Sequence, residues 1–254
     1  MADFDTLEAI VIGGTGGSGS RALAELCHVN GMAMPKPRNS AHDWLVTRHL
    51  YNFWTKRILA LTGGLDYRFA DLPKGMRAAI ETEFRAALAE AVPAAGAGLR
   101  FGWKNPRSLM LVPVLAHFLP RLSYLHLVRD GRDMVLSQND NQTSRYGKFL
   151  FAEPEAGGPE LAAARFWSRA NLEAMTAGRR LIGERYHVVR FEEACTPGNA
   201  ALPALLAALG LRQGRIDGIF VAPESIGRWK TLEPSLAAAV EAAARPGLEA
   251  FGYL

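Results

Sequence analysis

The sequence predicts an α/β fold with a P-loop-like parallel sheet flanked by helices. Residues 9–12 form a continuous apolar run, Ala-Ile-Val-Ile, which is typical of a parallel strand buried on both faces. Glycines and small hydroxyl residues follow this run, and a helical pattern comes next. Further strand-like runs at 99–103, 123–128 and 187–190 also lead into helical patterns, and this alternation is typical of α/β proteins.

Composition predicts one globular domain over residues 1–254. Hydrophobic residues make up 49% of the chain and charged residues 21%, and a chain of this length can bury a sizeable core. Cys27 and Cys195 have neither pairing nor metal-ligand spacing. This indicates reduced packing residues of a cytoplasmic protein without a metal site. No pattern in the sequence indicates an oligomeric state.

The net charge of the chain limits the kinds of molecule that we expect it to bind. A net charge of +4, from 29 Lys and Arg against 25 Asp and Glu, suits an anionic ligand. The charge is too mild, and the basic residues are too dispersed, for a nucleic-acid groove. No apolar stretch approaches the ~20 residues of a membrane helix, and the acidic start of the chain is unlike an export signal. We therefore expect neither a nucleic acid nor a membrane as partner.

The chain is organised around residues 8–21, EAIVIGGTGGSGSR, where a strand turns into a helix. Glycines let the backbone turn sharply. The first N–H groups of a helix lack partners within it and attract phosphate or sulfate. Residues 14–21 therefore predict an anion-binding loop, here called the cradle, although a purely structural turn has the same pattern. Its candidate ligands are Gly14, Thr15, Gly16, Gly17, Ser18, Gly19, Ser20 and Arg21.

Two familiar nucleotide-binding loops fit the cradle only in part. The glycines match the dinucleotide pattern G-x-G-x-x-G, but that site also needs a second strand ending in Asp or Glu, and residues 34–38 do not form such a strand. The Walker pattern fails because Ser20 occupies the lysine position and Arg21 the Mg²⁺-binding hydroxyl position. We therefore expect an anion that binds without Mg²⁺.

Helices are predicted from apolar periodicity and end signals. The first, at 18–29, packs the cradle onto the sheet. A long helix at 40–61 begins at Ser40 as N-cap and ends before two glycines. A short one follows the 123–128 strand to about residue 139. Further helices are predicted at 74–92, at 159–183 and from 234 onward, and two more are predicted to end at Leu119 and at Gly210.

Two stretches are candidates for the acceptor side of a site. Aromatic residues are dense in the predicted helix 40–61, where they either pack in the core or form a wall of an acceptor pocket. They are Trp44, Tyr51, Phe53 and Trp54. Residues 143–158 combine aromatic residues with Gly and Pro, and predict a loop long enough to cover a substrate.

Basic residues follow two of the predicted strands. Lys104 and Arg107 come after the strand at 99–103, and Arg129 follows the strand at 123–128. Ligands of open α/β sheets bind beyond the carboxyl ends of the strands. These side chains are therefore placed to meet an anion, unless they belong to a solvated cationic loop.

Residues 14–21 and 129–137 together resemble the bacterial-type sulfotransferases that use 3′-phosphoadenosine 5′-phosphosulfate. The resemblance implies that the cradle binds the 5′-phosphosulfate. It also implies that Arg129 and Ser137, eight residues apart, bind the 3′-phosphate. A guanidinium fork and a directed hydroxyl suit that phosphate. Arg132, one turn further along, is expected at the surface.

Weaker matches extend the resemblance over nearly the whole chain. WKNPR at 103–107 is similar to a lysine-proline element near the transferred sulfuryl group, which makes Lys104 a candidate catalytic cation. HVVRFEE at 187–193 is similar to a strand end of the family, and GRWK at 227–230 to its C-terminal cofactor-gripping segment. The last match implies cofactor contacts from Arg228, Trp229 and Lys230.

The cradle departs from the family at one position. Many relatives have Lys or Arg where this chain has Gly17. The cation near the bridging oxygen is therefore expected from Arg21 or Lys104.

The general base is a further open point, since the family uses either a histidine or a carboxylate. His42 and Asp43, in the predicted helix 40–61, are the candidates. On that helix His42 and His49 would share a face, because they lie two turns apart.

The resemblance implies transfer of a sulfuryl group to a hydroxyl or amine of a small-molecule or carbohydrate acceptor. Adenosine 3′,5′-bisphosphate would be the product, and no metal would be needed. Two alternatives remain open. An atypical P-loop kinase would depend on Mg²⁺, and a catalytically silent anion-binding module would give no sulfated product.

Overall fold

A computed structural model describes residues 4, 6–44, 46–94, 100–137, 141–154 and 156–254, and contains a five-stranded sheet. All four strand pairs are parallel, in the order β2-β3-β1-β4-β5. The predicted α/β class is confirmed, whereas the two-residue strand β2 was not predicted. The strands are β1 Ala9–Gly14, β2 Met32–Ala33, β3 Arg100–Lys104, β4 Ser123–Val128 and β5 Tyr186–Arg190.

Helices cover both faces of the sheet. Side chains alternate along a strand, so Val11 packs into one core cluster while Ile10 and Ile12 pack into another. Among the described residues, no helix is both long and apolar enough to span a lipid bilayer. The helices are α1 Ser20–Val29, α2 Thr55–Thr62, α3 Lys74–Ala94, α4 Val112–Phe118, α5 Gly131–Met134, α6 Asn141–Leu150, α7 Pro159–Ile182, α8 Phe191–Ala194, α9 Ala201–Ala208 and α10 Pro234–Ala250.

The predicted helix at 40–61 is wrong in its first half. A π-helical turn begins only at Leu50 and leads into α2. Before it, the side chain of Asn39 accepts hydrogen bonds from the backbone N–H groups of Ala41 and Asp43. Such local bonds compete with helix formation. His42, with a φ of 64°, adopts a left-handed conformation, so it shares no helical face with His49.

The aromatic residues of this region divide between core and surface. Trp44 and Tyr51 are buried, and Trp44 packs against Trp103 of β3. Phe53 is exposed. The core interpretation is therefore confirmed for Trp44 and Tyr51.

Three further boundaries differ from prediction. The first helix starts at Ser20 instead of residue 18, because Gly19 is left-handed. The predicted loop at 143–158 is helical as far as Leu150, since Tyr146 is buried and its hydroxyl donates to the Tyr51 carbonyl. The helix after β4 ends at Met134, and residues 138–140 lie outside the described residues.

Candidate anion-binding site

The cradle leads from β1 into α1 and has no room for side chains at two of its glycines. Gly17 and Gly19 have φ angles of 92° and 93°, in the left-handed region. A Cβ at Gly17 would lie 2.8 Å from Ser137 Oγ, and one at Gly19 would lie 2.4 Å from the Phe191 ring. Both contacts are closer than a real Cβ tolerates. Gly17 therefore brings the cradle backbone against Ser137, and a side chain at this position would strain the backbone and require the Ser137 side chain to shift.

Polar atoms in the cradle are left unpaired among the described residues. Thr15 and Ser18 are buried, and neither hydroxyl has a hydrogen-bond partner there. No described side chain caps α1, and its first turn has no acidic residue. Since buried polar groups normally have partners and helix N-termini attract anions, this arrangement fits an anionic ligand.

Lys104 ends β3, next to the start of the cradle, where its Cα pairs with Ile12. Its side chain is only 4% exposed, and its ammonium donates to Asp43 Oδ1 at 2.7 Å and to the Ala41 carbonyl at 2.8 Å. Burial lowers the pKa of Lys104, and the Asp43 carboxylate opposes that change. Arg21, exposed at the start of α1, also lowers the pKa of Lys104 by charge repulsion.

The two candidate bases lie beside this lysine in different environments. Asp43 bonds to Lys104 and also accepts from the side-chain amide of Asn39 at 3.0 Å. His42 is half-buried. Its pKa is lowered by burial and then by the nearby guanidinium of Arg38, with a further contribution from the Lys104 ammonium. A histidine with a lowered pKa is neutral near pH 7 and can accept a proton.

Two other polar residues noted in the sequence, His49 and Arg107, form contacts with residues other than Lys104 and Asp43. The side chain of His49 is 58% exposed and bonds to Glu83 at 2.8 Å. The guanidinium of Arg107 donates to Asn52 at 2.9 Å. Neither is brought to the Lys104–Asp43 pair by these contacts.

Arg129 follows β4 directly and is buried. Its guanidinium lies over the Phe191 ring at 5.1 Å, the same ring that abuts Gly19 of the cradle. Nη2 donates to Ser225 Oγ at 2.9 Å, while Nε is buried without a hydrogen-bond partner among the described residues. Ser137 therefore borders the cradle directly, and Arg129 lies next to it across the Phe191 ring.

Arg132 is not at the surface, so the prediction for this residue is wrong. It is 8% exposed and makes ion pairs with Asp130 and Glu241, both at 2.9 Å. It also donates to the Tyr253 carbonyl, and its guanidinium lies 4.1 Å from the Trp229 ring centroid. Its partners make it a structural cross-link between the turn after β4 and the end of the chain.

Residues 225–231, here called the C-terminal segment, pack on this turn through Asp133. The Asp133 carboxylate accepts from the backbone N–H of Gly227 at 2.7 Å and of Trp229 at 3.0 Å. Arg228 donates to the Leu136 carbonyl, and both Arg228 and Lys230 are exposed. Asp133 was not predicted as a site residue, although it follows Arg129 by one helical turn. Ser225 was not predicted either, because no sequence pattern marks it.

A cavity of about 780 Å³ opens beside the cradle. Thr15 and Gly16 lie at its cradle end together with Ser137, and the N-terminal part of α7 forms another wall. Lys104 and Asp43 do not line it. Residues of α6 and the following loop also line it, and all but the first of them lie in the stretch predicted as a covering loop. These are Gln142, Thr143, Ser144, Lys148 and Pro154.

Comparison with protein families gives one match over most of the chain. Residues 9–214 match the model described as the sulfotransferase family. The C-terminal segment lies beyond these residues. No curated protein matches the sequence.

Solved structures with a similar fold are sulfotransferases of low sequence identity. The sulfotransferase domain of the Synechococcus olefin synthase has a TM-score of 0.56 and 15% identity, covering 100% of this chain and 98% of that one. A sulfotransferase from Alicyclobacillus acidocaldarius has a TM-score of 0.55 and 14% identity, covering 98% and 94%. One from Mycobacterium tuberculosis has a TM-score of 0.52 and 14% identity, covering 94% and 76%.

Proposed function

The chain belongs to the sulfotransferase family, and from this premise we propose that it uses 3′-phosphoadenosine 5′-phosphosulfate as sulfuryl donor. The acceptor is a hydroxyl or amine of a small molecule or carbohydrate. When bound, the cofactor supplies the sulfuryl group and leaves as adenosine 3′,5′-bisphosphate. No metal takes part.

The proposal rests on one observation: two candidate anion-binding positions lie next to each other. The cradle offers the buried, unpartnered hydroxyls of Thr15 and Ser18 among the described residues, and it leads into the uncapped start of α1. Ser137 borders the cradle at Gly17, and Arg129 lies over the ring of Phe191 that abuts Gly19. A ligand with anionic groups at both its 5′ and 3′ positions would occupy both. Arg129 has an unpaired Nε and a planar fork that suits phosphate.

The residues on each side of the cradle have different tasks. Backbone N–H groups between Gly16 and Ser20 bind and orient the 5′ side, apart from that of Ser18, which donates to the Thr15 carbonyl. Arg129 and Ser137 bind the 3′-phosphate, and the C-terminal segment closes over the same ligand with Arg228, Trp229 and Lys230.

Lys104 is the cation that neutralises charge growing on the leaving oxygen, because it ends the strand beside the cradle and is held by Asp43. Fixed charges aimed at a developing anion are among the largest contributions to catalysis. Arg21, exposed at the mouth of the cradle, is a second cation on the same side. It would add electrostatic attraction for the donor.

His42 is the general base and takes the proton of the acceptor group. Its lowered pKa keeps the imidazole neutral at pH 7. Asp43, by contrast, already bonds to the Lys104 ammonium. If Asp43 were the base instead, its replacement would lower kcat about 10²–10⁴-fold.

The test compares two nucleotides that differ by one phosphate. Adenosine 3′,5′-bisphosphate is expected to raise the melting temperature without added metal, and AMP, which lacks the 3′-phosphate, far less. A ligand at a hundredfold excess over its Kd stabilises the folded state by about 2.7 kcal/mol. Equal shifts with both nucleotides would contradict the proposal. A shift that requires Mg²⁺ would favour a kinase.

A further inference from the structure

We propose that Ser225 is a further ligand of the 3′-phosphate, and that Asp133 is the positioning residue that presents it. The inference rests on the function proposed above. Ser225 lies 96 residues from Arg129 in the chain, yet its hydroxyl oxygen is 2.9 Å from Arg129 Nη2.

The direction of this hydrogen bond leaves the hydroxyl proton of Ser225 for another partner. A guanidinium can only donate, so Ser225 Oγ is the acceptor. The O–H group must then point away from Arg129. Ser225 is half-exposed, and it stands beside the cation expected to bind phosphate. A phosphate oxygen at Arg129 is therefore within reach of a second, differently directed donor.

Asp133 forms an ion pair with Arg129 but no direct hydrogen bond to it. The two side chains are 3.9 Å apart, too far for a hydrogen bond. The carboxylate instead accepts from the backbone N–H groups of Gly227 and Trp229, one on each oxygen. Asp133 thus serves as the anchor of the C-terminal segment, and Arg129 Nε has no hydrogen-bond partner in the part of the chain that the structure describes.

Additional contacts fix the same segment against the turn after β4. The Arg132 guanidinium stacks on the Trp229 ring, and Arg228 donates to the Leu136 carbonyl. Ser225 is therefore held in place before a ligand arrives. A preorganised donor loses little conformational entropy on binding.

The experiment measures Kd by calorimetry for adenosine 3′,5′-bisphosphate and for AMP. Ser225→Ala should weaken bisphosphate binding about tenfold or more, because the lost hydrogen bond involves a charged group, while leaving AMP affinity unchanged. Ser225→Thr, which keeps a hydroxyl, should retain most of the affinity. The matched control is Ser235→Ala, an exposed serine whose hydroxyl bonds to Glu233. It should behave as the wild type.

A double-mutant cycle tests the positioning role. Asp133→Asn keeps the shape of the side chain, but its amide nitrogen cannot accept a backbone N–H. If Asp133 acts by presenting Ser225, its replacement should weaken bisphosphate binding much less in the Ser225→Ala background than in the wild type. Fully additive losses would overturn the positioning role.

Failure of the inference and failure of the proposed function look different. If the wild type binds bisphosphate but Ser225→Ala binds it equally well, only the inference is overturned. Tighter binding by Ser225→Ala would overturn it too, since Ser225 would then merely occupy Arg129 in the unliganded protein. If the wild type prefers no 3′-phosphorylated nucleotide, both proposals are overturned.

Discussion

Lys104 and Arg129 are buried cations on opposite sides of β1, and they are neutralised in different ways. Lys104 lies at the end of β3, with a carboxylate oxygen of Asp43 at 2.7 Å. Arg129 follows β4, and its nearest carboxylate, Asp133, is 3.9 Å away and occupied by backbone N–H groups.

The difference indicates two tasks. A buried charge needs compensation. Lys104 receives it from the protein, so its ammonium is fixed before any ligand binds. Arg129 receives less, and a bound phosphate would complete its environment. We expect the surroundings of Lys104, here called the β3 side, to determine the rate of sulfuryl transfer. We expect the surroundings of Arg129, the β4 side, to determine the affinity for the cofactor.

The largest expected effect is on the β3 side. Lys104→Met should lower kcat about 10²–10³-fold, the usual result of removing one group that stabilises a developing anion. Bisphosphate affinity should change little, because Arg129 and Ser137 are intact. The measurement is the steady-state release of adenosine 3′,5′-bisphosphate with a hydroxyl acceptor found by screening.

Lys74→Met is the matched control, since Lys74 is exposed at the start of α3. The side chain of Asp43 is 25% exposed and can be solvated once Lys104 is gone, so the variant is expected to fold. A kcat close to that of the wild type would contradict the role of Lys104 and would indicate that Arg21 supplies the cation.

The second expected effect compares two arginines of the β4 side. Arg129→Ala should raise the Kd for the bisphosphate about 10–100-fold, since a charge-assisted bond to phosphate is lost. Arg132→Ala should leave Kd within a few-fold. It should instead lower the free energy of unfolding by about 3 kcal/mol, because Asp130 and Glu241 lose their buried partner.

Calorimetry and urea denaturation on the same two variants separate these outcomes. Both arginines are equally buried, so burial alone predicts no difference between them. Indistinguishable Kd values would show that Arg129 is also a structural cross-link, and the 3′-phosphate site would have to lie elsewhere.

Arg129 and Arg132 also show which features could be predicted from the sequence and which could not. Strand β4 was predicted at its observed bounds, because a continuous apolar run is a local signal, and Arg129 follows it directly. The burial of Arg132 depends on Glu241, 109 residues away. No local pattern encodes that pairing, so the surface prediction was wrong.

The same reasoning applies on the β3 side. Lys104 was identified from its position after a strand. Its environment depends on residues 39–43, where the Asn39 side chain replaces helical hydrogen bonds with local ones. Helical periodicity gave a wrong prediction there, because the backbone N–H of Trp44 donates to the carbonyl of Lys104 at the end of β3. The candidate bases His42 and Asp43 were therefore placed on a helical element that does not form, and their proximity to Lys104 was not predicted.

The smallest expected effect concerns Asp43 and is read from the pH dependence of kcat. Lys104 must be protonated to act, and burial already lowers its pKa below the ordinary value. Asp43 opposes this through its charge and its hydrogen bond. Asp43→Asn removes both interactions, so the alkaline limb of the profile should move to lower pH. At pH 7 kcat should fall less than in Lys104→Met, because the ammonium itself remains and only its partner is lost.

The acid limb discriminates between the two candidate bases. A base acts only when deprotonated, and the lowered pKa of His42 places its acid limb below pH 6.5. Asp43→Asn should leave that limb where it is, whereas His42→Asn should remove it. If Asp43 accepted the proton, Asp43→Asn would instead lower kcat about 10²–10⁴-fold at every pH. In that case Asp43 would be the catalytic base, and Lys104 would position Asp43 instead of being positioned by it.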